Sequence, residues 1–131
     1  MTNAEQRSDF IQTRCPAQII TYQKTLAVLR YGKLMTLHQE MLRQFIDSRP
    51  WAAEPPLHWR IPSAPQAMVE GLKTQTGWKT FNVHVTPHLK EEVENLCGVL
   101  GVSMSTFCYT AIYWWVKYIM PPKSYLNTSE G

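Results

Sequence analysis

After Gly77 the spacing of apolar residues drops from about 3.6 to 2: Phe81, Val83 and Val85 alternate with Thr80, Asn82 and His84 over residues 79–85. Successive side chains of a strand point to opposite faces, so this stretch is predicted to be a strand with one apolar and one polar face. A single strand of this length has no stability of its own, because its backbone N–H and C=O groups need a partner edge. No other segment offers an obvious partner, and the sequence holds no internal repeat. Pairing with the same strand of a second copy would satisfy the edge and bury Phe81, Val83 and Val85. The first expectation is therefore a homodimer built on a two-stranded antiparallel ribbon.

The residues that follow predict two helices. Thr86 is placed to cap the first, with Pro87 at its first position, where a missing N–H costs nothing. Leu89, Val93, Leu96, Cys97 and Leu100 form one apolar stripe, and Gly101 suits the left-handed conformation that ends a helix. Ser103 is placed to cap a second helix running to about Met120, where Pro121 and Pro122 stop it. On that helix Phe107, Cys108, Ala111, Ile112, Trp115 and Val116 supply a core face. The expected dimer core is Phe81, Val83, Val85, Leu89, Val93, Leu96, Phe107, Ala111, Ile112 and Trp115. Tyr109, Tyr113 and Trp114 are left over as an apolar patch, which isolated soluble domains seldom expose. Either the N-terminal helices and the tryptophan-rich loop cover it, or a protein partner or second dimer does.

The run KTFNVHVTPHLKEEVENLCGVLGVSMSTFCYTAI resembles the ribbon-helix-helix, or Arc/MetJ/CopG-like, superfamily of DNA-binding repressors. The shared features are the alternating strand, Pro at the head of the first helix, the G-V-S-x-S turn and the Ala-Ile pair in the second helix. They span residues 79–119, about a third of the chain. The resemblance implies that Thr80, Asn82 and His84 touch base edges in the major groove, and that Lys79, Ser103, Met104 and Ser105 contact phosphates. It implies a homodimeric, sequence-specific binder of double-stranded DNA acting as a transcriptional repressor. Family members also serve as plasmid partition, relaxosome accessory and antitoxin proteins. A reading of a different class is an interaction module that uses this unit only to dimerise.

The remaining residues predict a mainly α chain, with the ribbon-helix-helix unit at residues 77–120 behind an N-terminal helical extension. Residues 1–15 read as a mobile arm and residues 121–131 as a tail. Over residues 16–48 two helical stripes, Ile19, Tyr22, Leu26, Leu29 and then Leu34, Leu37, Met41, Phe45, are out of phase. Gly32 between them kinks one helix or separates two. Residues 49–76 hold five of the nine prolines together with Trp51, Leu57, Trp59 and Ile61. A loop carrying that much apolar surface is expected to lie on the folded body, with residues 67–73 able to form a short helix.

The net charge is +3, but nine of the thirteen Lys/Arg and six of the ten Asp/Glu fall in residues 1–78. Residues 79–131 are left with four of each, a weak footprint for a phosphate binder. Three cysteines without a CxxC pair suggest buried thiols in a reducing compartment. The polar N-terminus lacks the apolar core of a signal peptide, and the longest apolar run is too short to span a bilayer. A cytoplasmic protein with no membrane association is expected. His84 and His88 flank Pro87 at a strand-to-helix junction and do not share a helical face, so no metal site is expected. Neither a cofactor motif nor a catalytic constellation is present, and the chain reads as a non-enzyme.

Overall fold

The structure, a computed structural model, describes residues 8–62 and 77–122. Strand β1 (Asp9–Pro16) leads into α1 (Ala17–Leu26), prolonged by a π-helical turn (Ala27–Tyr31), and then α2 (Leu34–Ser48). A short 3-10 turn (Pro50–Ala52) follows. Strand β2 (Trp78–Val85) leads into α3 (Pro87–Leu100) and α4 (Met104–Trp114), which is prolonged by a second π-helical turn (Trp115–Ile119). The described chain is mainly helical, and its two strands form one antiparallel sheet.

β2 has the alternation its spacing dictates, with Phe81, Val83 and Val85 buried. Its partner differs from the expected one. β1 of the same chain pairs with it, from Asp9 opposite Val85 to Pro16 opposite Trp78. The expected mobile arm thus becomes ordered strand from Asp9 onward, and the edge that called for a second copy is filled from within. β1 is hard to read because its inward residues are Ile11, Thr13 and Cys15, and only Ile11 is strongly apolar. Thr13 is buried without penalty because its hydroxyl donates to the Ser105 carbonyl at 2.8 Å and accepts from Ser105 Oγ at 3.0 Å.

The two halves are one unit used twice, although the residues do not say so. Adding 70 to a number in the first half gives its structural counterpart in the second. Both first helices begin at matching positions, Ala17 and Pro87, and both second helices at Leu34 and Met104. On the strands, Ile11, Thr13 and Cys15 match Phe81, Val83 and Val85, all buried. On the second helices, Leu37, His38, Met41, Leu42 and Phe45 match Phe107, Cys108, Ala111, Ile112 and Trp115, all buried as well. Gln12 and Asn82, themselves counterparts, face each other at the centre of the ribbon. A local two-fold axis requires that self-pairing. The π-helical turn lengthens the first helical segment by one residue, and the following connection is one residue shorter. Gly32 (φ 85°) and Gly101 (φ 74°) close the two segments in conformations that disfavour a side chain. Gly32 therefore separates two helices. Leu29, expected in the core stripe, is exposed, as is its counterpart Val99.

The halves are intertwined. α4 packs on β1, and α2 packs on β2, so each strand is roofed by the other half's second helix. The Thr13–Ser105 bonds seal one crossing. At the other, the His84 backbone N–H donates to His38 Nδ1 at 2.9 Å. The ten residues expected to form a core between two copies lie in this single-chain core, with Leu96 only partly buried. Across the surface, Arg43 of α2 makes a bidentate pair with Glu92 of α3 at 2.7 and 3.0 Å.

The described part of the proline-rich loop lies on α4. Trp51 and Trp59 stack with each other and contact both Phe45 and Phe107. The Arg60 backbone N–H donates to Thr110 Oγ1 at 2.9 Å, and its guanidinium sits 3.8 Å over the Tyr113 ring. Trp114 is buried against Phe45, and Tyr109 packs on Trp78. The leftover aromatic residues of α4 are thus covered by the chain itself. The short helix expected at residues 67–73 lies outside the described residues.

Candidate nucleic-acid interface

The face of the ribbon turned away from the helices holds Phe10, Gln12 and Arg14 from β1 and Thr80, Asn82 and His84 from β2. They form three rungs: Phe10 opposite His84, Gln12 opposite Asn82, and Arg14 opposite Thr80. Alternation puts them there, because their neighbours in sequence fill the core. Three of the six come from β1 and were not foreseen. The polar residues Gln12 and Arg14 between inward Ile11, Thr13 and Cys15 carry a signal, blurred by Phe10, which is 45% exposed on the outer side.

Among the described residues, the two strands place no carboxylate on this face. The one acid on either strand, Asp9, has the parity of the inward residues and pairs with Lys90 at 3.4 Å. At the central rung, Asn82 Oδ1 is shut off from solvent and accepts no hydrogen bond. Gln12, Arg14, Thr80 and Phe10 are exposed, and Asn82 and His84 only half-buried beside them, on a ribbon whose strands lie about 5 Å apart. A duplex major groove, about 12 Å wide, admits such a ribbon.

The expected phosphate contacts flank it unevenly. Lys79 is exposed beside the Arg14–Thr80 rung. Ser103 is exposed and its hydroxyl accepts from the Thr106 N–H at 3.1 Å, capping α4 as its sequence dictates. The Ser105 hydroxyl is committed to Thr13, so this residue has only its backbone to offer an anion. Met104 is half-buried. At the matching start of α2 stands Lys33, exposed and making no side-chain cap. An ammonium thus occupies the place that a capping hydroxyl holds in the other half.

Burial pushes the Cys97 thiol up to about 11 and the Cys15 thiol up to about 12, with Cys108 raised further still. Thiols so raised are not thiolates at neutral pH and make poor nucleophiles. No cluster of three or more His, Cys, Asp or Glu among the described residues is placed to hold a metal ion. Among the same residues, no single helix is long and apolar enough to cross a membrane. Comparison with known proteins finds no matching family model, no similar curated protein and no similar solved structure.

Proposed function

We propose that the chain is a sequence-specific DNA-binding protein of the ribbon-helix-helix type, in which one polypeptide supplies both strands of the reader. The observation that carries this reading is the central rung. Two amides, exposed Gln12 and half-buried Asn82, stand side by side on a face where the described strands place no carboxylate. Asn and Gln are the side chains that pair with adenine through two hydrogen bonds, which exposed Gln12 offers directly and Asn82 once its shielded Oδ1 turns outward, and Arg14 is suited in the same way to guanine. Lys79, Lys33 and the backbone N–H groups at the starts of α2 and α4 would fix the ribbon on phosphates to either side. Repression of transcription is the role proposed, by occlusion of a promoter. Plasmid partition, relaxosome or antitoxin service would use the same interface.

Duplex fragments carrying the protein's own promoter provide the test, with affinity followed by fluorescence anisotropy over a range of salt. Affinity should fall log-linearly with salt, with a slope reflecting a few phosphate contacts. Asn82→Ala should weaken binding by on the order of tenfold or more, the value of one bidentate base contact. A second reading, a protein-interaction module, draws on exposed Phe10 and on the balanced charge of residues 79–131. Unchanged affinity in Asn82→Ala, or no binding by the parent chain, would favour that module.

A further inference from the structure

Two copies of one strand present the same side chains on both sides of their two-fold axis and so read an inverted repeat. This ribbon has the axis without the identity. Its counterpart positions hold Phe10 and Thr80, Gln12 and Asn82, and Arg14 and His84. Only the central amides are chemically alike. Because the strands are antiparallel, the differences separate along the ribbon. One end carries Arg14 and Thr80, with Lys79 flanking it; the other carries Phe10 and His84, with Asp9 flanking it. The helix starts differ too, with Lys33 where the second half has Ser103.

Resting on the DNA-binding reading, we infer that the ligand of this ribbon is a duplex site with unlike halves, bound by one chain in one orientation. The three rungs span about 14 Å of strand, matching about four base-pair steps at 3.4 Å each. At the Arg14–Thr80 end the chemistry selects guanine, through its O6 and N7 acceptors. At the centre the two amides select adenine on either strand. At the Phe10–His84 end an exposed aromatic ring has a thymine methyl as its complement. Orientation follows from the fold, since turning the duplex end for end would set the guanidinium against the methyl group and leave the guanine facing Phe10.

Selection from a randomised duplex library with the full chain, read by sequencing, tests this. The parent chain should enrich a site that is not its own reverse complement. A variant with Phe10→Thr, Gln12→Asn and Arg14→His would present Thr, Asn and His from both strands, and it should enrich an inverted repeat instead. All three positions face solvent on β1, and far-UV circular dichroism reports whether the variant keeps the fold. Arg14→Ala is the independent check, and should relax the preference on the order of ten- to a hundredfold at a position in one half only. An inverted repeat selected by the parent, or relaxation of both halves by Arg14→Ala, overturns the inference while leaving DNA binding intact. So does a folded triple variant that still selects an asymmetric site. No enrichment of any sequence by the parent, at low salt, removes the DNA-binding reading and the inference with it.

Discussion

Replacing Phe45 with Ala is expected to lower the free energy of unfolding by about 3–5 kcal/mol, a large share of the roughly 5–15 kcal/mol that holds a domain together. Phe45 is fully buried, and its position places the loss toward the upper end of that range. It lies 5.1 Å from Trp51 and 6.2 Å from Trp59 in the loop, and 5.2 Å from Phe107 and 5.4 Å from Trp114 in α4. Truncation leaves a cavity where the first half, the loop and the second half meet. Urea unfolding followed both by tryptophan fluorescence and by circular dichroism should shift by the same amount in both signals. A loss under about 1 kcal/mol, or a fluorescence transition that separates from the other, would show that the loop is not part of one cooperative core.

Acid should weaken the protein well before its carboxylates are protonated, and His38 is the cause. Burial, with a smaller contribution from the positive potential of His84, pushes its imidazole down to about 3. His84 lies stacked above it with ring centroids 6.0 Å apart. His38 Nδ1 accepts the His84 backbone N–H, so the proton sits on Nε2 and is donated to Gln23 Oε1 at 3.1 Å. A second proton has no place in that arrangement. In the unfolded chain the same ring binds a proton near 6.5. Between these two values the unfolded state holds more protons, so stability rises with pH there. The contribution is complete above about 6.5 and shrinks as the pH falls toward 3, by up to about 1.4 kcal/mol per pH unit. Denaturant midpoints measured from pH 7 to pH 5 isolate this group, since Glu92, held below its usual range by Arg43, acts only in more acid solution. His38→Asn should start from a lower stability and lose most of the slope. An equal slope in that variant would assign the effect elsewhere.

The second half of the chain could be read from its residues because its local signals agree. β2 alternates cleanly, Thr86 and Ser103 cap the helices they precede, and Gly101 closes α3 in the left-handed conformation. The first half follows the same plan with different chemistry. Where the second half buries Val83, Val93 and Cys108, the first buries Thr13, Gln23 and His38. Each of these polar groups is satisfied by a partner distant in sequence: Thr13 by Ser105, and Gln23 and His38 by each other. Hydropathy cannot register such pairs, because a polar residue looks solvent-seeking until its partner is known. The connection between α1 and α2 also lacks a Ser or Thr cap, having Lys33 in that place. The repeat therefore persists in geometry after fading from the residues. Half of the ribbon's outward face went unseen for the same reason.

Joining the two halves in one polypeptide changes how the fold responds to dilution. A two-chain ribbon falls apart below its dissociation constant, and its apparent stability depends on how much protein is present. Here the segment between Ser48 and Trp78 keeps β1 and β2 near one another at an effective concentration fixed by its length. Unfolding midpoints should be the same at nanomolar and at micromolar chain, and a few molecules in a cell would suffice to keep the sheet intact.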